Sequence, residues 1–98
     1  MEEISTKDLQ EKLEKGEKLK VYDVRRDEEV AEGKIPCAKH VELDKIPDNL
    51  DAFDKNEVNY LICRSGGRSS RAAEFLEQRG YKVVNVAGGM LAWEGETE

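Results

Sequence analysis

Apolar positions along this chain fall into short clusters divided by charged stretches, and their spacing alternates between helix-like and strand-like. Ile4 closes a very short strand. Ser5 then caps a predicted helix running to about Lys15, with Asp8 at the capping-box position, Leu9 and Leu13 as the buried stripe and Gly16 as the stop. Leu19 to Val24 reads as a strand, and Asp27 to Ala31 as a helical turn that Gly33 terminates. Ile35-Pro36 forces extended chain before a weaker strand from Ala38 to Leu43. Lys39, His40 and Glu42 interrupt that strand, a pattern suited to a sheet edge with one wet face. Asp44 to Phe53, containing Pro47, reads as irregular helix, and Asp54-Lys55-Asn56 as a turn. Val58 to Ile62 is a further strand, after which Ala72, Phe75 and Leu76 mark the buried face of a helix running to about Arg79, with Gly80 as its stop. Val83 to Ala87 is the last strand, Met90 to Trp93 a final helical turn over the core, and Gly95 to Glu98 a frayed end.

Strands alternating with helices at these lengths imply a parallel sheet covered on both faces. The expected fold is therefore α/β: three α/β/α layers around a small central parallel sheet of about five strands, with residues 1–98 forming a single domain. Ninety-eight residues leave no room for a second core. Charged residues make up 39% of the chain and hydrophobic ones only 38%, so the core must be concentrated in the strands and the helix faces just named. No apolar run reaches the length of a membrane span, and Met1-Glu-Glu-Ile-Ser5 lacks the basic and apolar regions of a signal peptide. Cytoplasmic localisation and no membrane partner are the expectations. The chain carries 16 basic against 22 acidic residues, and that balance, without a basic stripe, argues against nucleic acid as a partner.

The exception to this acidity is local. Val58 to Ala73 contains no Asp or Glu, yet holds Arg64, Arg68 and Arg71 around Cys63. Cys63 stands where a strand ends and a helix begins, with Gly66-Gly67 between them. Amides of a first helical turn have no intrahelical partners, and the helix dipole adds partial positive charge there, so an anion in this loop is stabilised. A thiolate is such an anion, and a cysteine at a helix N-terminus beside arginine ionises below its ordinary pKa of about 8.5. A cysteine activated in this way needs no histidine as base, and His40, the one histidine, reads as a surface strand residue. One histidine and two distant cysteines also lack the ligands of a metal site, and no cofactor is called for.

The run Cys63-Arg-Ser-Gly-Gly-Arg68 resembles the active-site loop of the rhodanese family of sulfurtransferases, whose signature is a cysteine, four residues and an arginine. Asp23-Val-Arg25 is similar to that family's early strand-end motif, Gly33-Lys-Ile-Pro-Cys-Ala38 to its Gly-His-Ile-Pro-Gly-Ala stretch, and Gly88-Gly-Met-Leu-Ala-Trp93 to its closing motif. Lys34 and Cys37 depart from the pattern, outside the loop. The resemblance implies that Cys63 is the catalytic nucleophile and that Arg64, Ser65, Gly66, Gly67, Arg68 and Ser69 bind the anionic substrate. It implies double displacement: the Cys63 thiolate takes the outer sulfur of thiosulfate or another persulfide donor, sulfite leaves, and a thiol or cyanide acceptor removes the sulfur from the Cys63 persulfide. Arg64 and Arg68 would attract the donor, and the Ser65 and Ser69 hydroxyls can donate to the sulfur.

Two other readings use the same residues. A persulfide carrier or redox-regulatory module, acting as a monomer like the enzyme, would hand its sulfur to a partner protein. A cysteine-dependent phosphatase or arsenate reductase would use five residues between Cys and Arg, whereas the sixth residue after Cys63 is Ser69. That spacing favours a single sulfur over a tetrahedral oxyanion.

In an open parallel sheet, ligands bind beyond the carboxyl ends of the strands. Arg25, Arg26, Asp44, the Cys63 loop and Gly88 to Met90 follow strands, while Lys34, Cys37 and Asn56 precede them. Cys37 should lie about a strand length from Cys63, on the order of 15 Å, too far for a disulfide. Asp23 reads as a buried strand-end residue accepting backbone hydrogen bonds, with Arg25 paired to it or to Glu29; the functional alternative is that Arg25 draws substrate toward the loop. Met90 and Trp93 read as core caps, and Asn56 and Asn59 as residues without a special role.

Overall fold

Ser5 starts the first helix as its sequence context suggests, its Oγ accepting the Asp8 N–H at 3.0 Å to cap α1 (Thr6–Glu14). In the computed structural model, which spans residues 1–98, the crossover through α1 sets the pattern for the rest. Strands β1 (Glu2–Ser5), β2 (Lys20–Asp23), β3 (Lys39–His40), β4 (Val58–Ile62) and β5 (Lys82–Ala87) form one sheet in the order β1-β5-β4-β2-β3, parallel at every pairing. Between and after them lie α2 (Asp27–Ala31), two 3₁₀ turns (Leu43–Asp48 and Leu50–Ala52), α3 (Gly67–Glu77) and α4 (Gly89–Ala92). The expected three-layer α/β/α fold is the one observed.

Side-chain alternation along the strands divides the core in two. Tyr22, Val24, Leu61, Cys63 and Val83 pack with Ala72, Ala73 and Leu76 of α3 and with Ile46 and Phe53 of the 3₁₀ segment. Val21, Ile62 and Val86 pack on the other face with Leu9 of α1, Ile35 and Ala38, with Met90 and Trp93 laid against them. Leu61 and Ile62 are each wholly buried, one on each face. Burying such a side chain stabilises the fold by about 1.5–3 kcal/mol. This two-sided burial is why β4 is an almost continuous apolar run, and why it sits in the middle of the sheet with Cys63 directly beyond its carboxyl end.

Four expectations change. The strand expected from Ala38 to Leu43 shortens to Lys39–His40, although Val41 N–H still donates to Asp23 O at 3.0 Å and Leu43 N–H to Val24 O at 3.1 Å. The chain must turn into the 3₁₀ segment at Leu43, which ends regular pairing on this edge. The C-terminus is not frayed: Glu98 and Lys34 exchange backbone hydrogen bonds of 2.9 and 3.1 Å, and Lys34 Nζ reaches the Glu98 carboxylate at 3.1 Å. Trp93 Nε1 also donates to Glu96 O at 3.0 Å, fastening the segment from its other end. Asn59, expected to be unremarkable, is wholly buried and spans the turn before β4, bonded to the Asp54 amide and carbonyl and to Lys82 O. Finally, Glu29 pairs with Arg68 rather than Arg25.

Candidate functional site

The alternation that buries Leu61 beneath α3 also turns Cys63 toward that helix, leaving the residue 1% exposed. Gly66 reverses the chain at φ +111°, a conformation side chains resist, and caps α3. That reversal aims its N–H at the Cys63 sulfur, 3.1 Å away. Ser69, one turn into the helix and fully buried, brings its hydroxyl to 3.3 Å from the same sulfur. Burial pushes the Cys63 thiol up, but hydrogen bonds from the Ser69 hydroxyl and from the amides of Ser69, Gly66 and Ser65 outweigh it. The net direction is down from the ordinary thiol value.

The arginines are not among the leading causes of that shift. Arg68 makes a two-pronged pair with Glu29, at 2.7 and 2.8 Å, which lifts the guanidinium further above its usual value. Chiefly through this bond, and despite partial burial, Glu29 falls to about 2. Arg64 and Arg71 are exposed. Of the expected amides, hydroxyls and guanidinium groups, the amides and the Ser69 hydroxyl reach the thiol, while Arg64 and Arg71 lie at the surface and Arg68 is paired with Glu29. A depression beside the loop is lined by Arg26, Arg68 and Arg71 together with Glu28, Glu42 and Asp44, so the surface there is mixed in sign.

A second element locks the loop from behind. The first turn of α4 donates Met90 N–H to Cys63 O at 2.8 Å and Leu91 N–H to Arg64 O at 3.0 Å. Gly89, at φ +56°, lies so close that a Cβ there would fall 2.5 Å from both the Cys63 and Arg64 carbonyl oxygens. The closing glycines therefore do more than turn the chain, because they let one helix end grip the backbone of the cysteine.

Residues 5–96 match the family of rhodanese-like domains. The chain belongs to that family. Over its full length it is 51% identical to YtwF of Bacillus subtilis, provisionally named a sulfurtransferase, and covers 95% of it. It is 37% identical to B. subtilis YrkF, provisionally named a sulfur carrier protein; 98% of this chain aligns, over 52% of YrkF. A crystal structure of a rhodanese-like domain protein from Staphylococcus aureus superposes with a TM-score of 0.95 at 47% identity, covering all of this chain and 97% of that one.

Within this rhodanese-like site, the loop residues separate by role. Cys63, Gly66 and Ser69 converge on the sulfur, Ser65 contributes its amide, and Arg64, Ser65 and Gly67 form the exposed rim. Asp23 and Arg25 are buried together below the loop: Arg25 Nε and Nη2 approach the Asp23 carboxylate at 2.8–3.1 Å, and Nη2 also donates to Gly33 O at 2.8 Å. The two form a buried ion pair. His40 Nε2 lies 2.7 Å from Arg25 O. Cys37 is exposed and lines a groove whose walls include Leu13, Ile35 and Trp93 together with Glu14, Glu17 and Lys18; partial burial of its sulfur pushes the thiol up, the reverse of Cys63. Both cysteines are free.

Sequence reasoning missed Asn85 and Glu3, and it missed the pairing of Glu29 with Arg68. Asn85 had a legible signal, a polar residue inside the apolar run Val83-Val84-Asn85-Val86 of an inner strand. A buried amide persists only with partners, and here Ser69 is one of them, with Oγ 2.5 Å from Asn85 Oδ1. No helix is long and apolar enough to cross a membrane.

Proposed function

We propose that this domain moves sulfane sulfur through a persulfide on Cys63, with thiosulfate as donor. The observation that carries the reading is the Cys63 sulfur itself, held at the carboxyl end of the central strand by donors that favour its anion. The thiolate attacks the outer sulfur of thiosulfate, an S–S bond forms, and the bond to the sulfonate sulfur breaks. Sulfite leaves with the electron pair. The new terminal sulfur carries the negative charge, and the Arg64 to Ser69 amides are its stabilising donors, as in an oxyanion hole. An acceptor thiolate then attacks the terminal sulfur and departs as a persulfide, or cyanide departs as thiocyanate, and the Cys63 thiolate returns. Arg64 and Arg71 draw the dianion to the rim, the more so because Arg68 is occupied by Glu29.

Incubation with thiosulfate followed by intact mass measurement tests this. The expected result is a gain of one sulfur atom that cyanide removes, retained in Cys37→Ser and absent in Cys63→Ser. Loading in Cys63→Ser, or none in the parent, refutes it.

The similarity to YrkF, with its carrier name, favours a second reading in which the same persulfide goes to a protein partner. The two readings divide on rates. Ready loading with negligible turnover to small thiols or cyanide supports the carrier; multiple turnover supports the enzyme. The domain is proposed to act as a single cytoplasmic unit in either case.

A further inference from the structure

Strand register sets Glu3 opposite Asn85 and Asn85 opposite Leu61, so a polar pair from β1 and β5 lies beside the strand that carries Cys63. Asn85 is 2% exposed. Its Nδ2 donates to Glu3 Oε2 at 3.0 Å and leans on Gly66 O at 3.4 Å, while its Oδ1 meets Ser69 Oγ. A carboxylate and a carbonyl can only accept, so together they fix the amide with its NH₂ toward Glu3 and its oxygen toward Ser69.

The Ser69 hydroxyl has one hydrogen and three acceptors around it: Asn85 Oδ1 at 2.5 Å, Gly66 O at 3.2 Å and Cys63 Sγ at 3.3 Å. When Cys63 is a thiol, every group is satisfied in series, with S–H donating to Ser69 Oγ, O–H to Asn85 Oδ1 and N–H to Glu3. When Cys63 is a thiolate, Ser69 can donate to it only by turning its hydrogen from Asn85 to the sulfur. Its oxygen and Asn85 Oδ1 then face one another as two acceptors, unless the amide rotates away from Glu3.

We propose that Asn85, oriented by Glu3, is a positioning residue that draws the Ser69 hydroxyl away from the Cys63 thiolate, so that the reactivity of the loop is restrained from β5 and the sheet-edge strand β1. The inference deepens the sulfur-transfer reading and rests on it for its consequence in turnover, but its test reads ionisation alone.

In a Cys37→Ser background, where Cys63 is the sole thiol, the pH dependence of thiolate ultraviolet absorbance gives its pKa. Asn85→Ala removes the competing acceptor and lowers that pKa by up to about one unit, a tenfold gain in the thiolate-to-thiol ratio. Glu3→Gln, at an exposed position, lets the amide rotate and lowers it in the same direction. In Asn85→Ala or Ser69→Ala backgrounds Glu3→Gln has no effect, because the relay is cut, whereas a through-space effect of the Glu3 charge would persist. Should Asn85→Ala fail to fold, the Glu3→Gln and Ser69→Ala cycle carries the test. An unchanged pKa in Glu3→Gln, or the same shift with and without Ser69, overturns the proposal. Absent sulfur loading alongside an intact cycle would instead sink the sulfur-transfer reading and leave the relay standing.

Discussion

Gly89→Ala is the most direct test of how the closing motif supports the Cys63 loop. An alanine at φ +56° costs about 1–2 kcal/mol for the left-handed backbone alone. Its Cβ would also sit 2.5 Å from the carbonyl oxygens of both Cys63 and Arg64. Neither is a flexible side chain, so α4 must lift. Lifting it breaks Met90 N–H to Cys63 O and Leu91 N–H to Arg64 O, at about 1 kcal/mol each. The expected loss is therefore about 3–4 kcal/mol, a large part of the roughly 5–15 kcal/mol available to a domain of this size. Gly80→Ala separates the contributions, since Gly80 has φ +89° but its added Cβ meets only the end of Lys55 at 3.9 Å. Urea unfolding of both variants should give a difference of about 2 kcal/mol, read as a midpoint shift of about 1–2 M at an m-value of about 1–2 kcal/mol/M. Gly89→Ala should also change the thiolate titration of Cys63, which Gly80→Ala should not. If the two variants lose equal stability and titrate alike, α4 does not brace the loop and the reasoning fails.

Three further outcomes follow from the same contacts. Ser69→Ala should raise the Cys63 pKa by about one unit, measured by thiolate absorbance, because the thiolate loses a donor while burial still opposes its charge; a lowered value would contradict the cradle. Glu29→Gln should flatten the acid limb of the stability curve. The folded Glu29 carboxyl lies near 2 against an ordinary 4.5, so its contribution is present above about 4.5 and is lost as pH falls toward 2, and urea midpoints across that window should depend less on pH in the variant. Arg25→Met leaves Asp23 buried with only the Arg25 amide of these donors, and should destabilise the domain by about 3–5 kcal/mol. A thermal midpoint close to the parent's would show that the pair is dispensable.

The amino-acid sequence alone determined the succession of elements and the position of the chemistry. The apolar run Tyr60 to Ile62 suits a strand covered on both faces of a parallel sheet, and a cysteine between such a strand and a glycine turn that opens a helix stands at that helix's N-terminus. Those are local facts, carried by residues near one another in the chain. Tertiary structure decided which charges meet. The Val58 to Ala73 segment has no acidic residue of its own, yet Arg68 is neutralised by Glu29, 39 positions earlier, and Ser69 is shared with Asn85, which Glu3 orients from the opposite end of the chain. Two sources of thiolate stability were legible beforehand, the amides of the helix start and the guanidinium groups beside them. In the fold the hydrogen bonds dominate, because an arginine side chain is long enough to choose among distant partners, whereas a backbone amide, once the loop has turned at Gly66, can point only where the fold aims it.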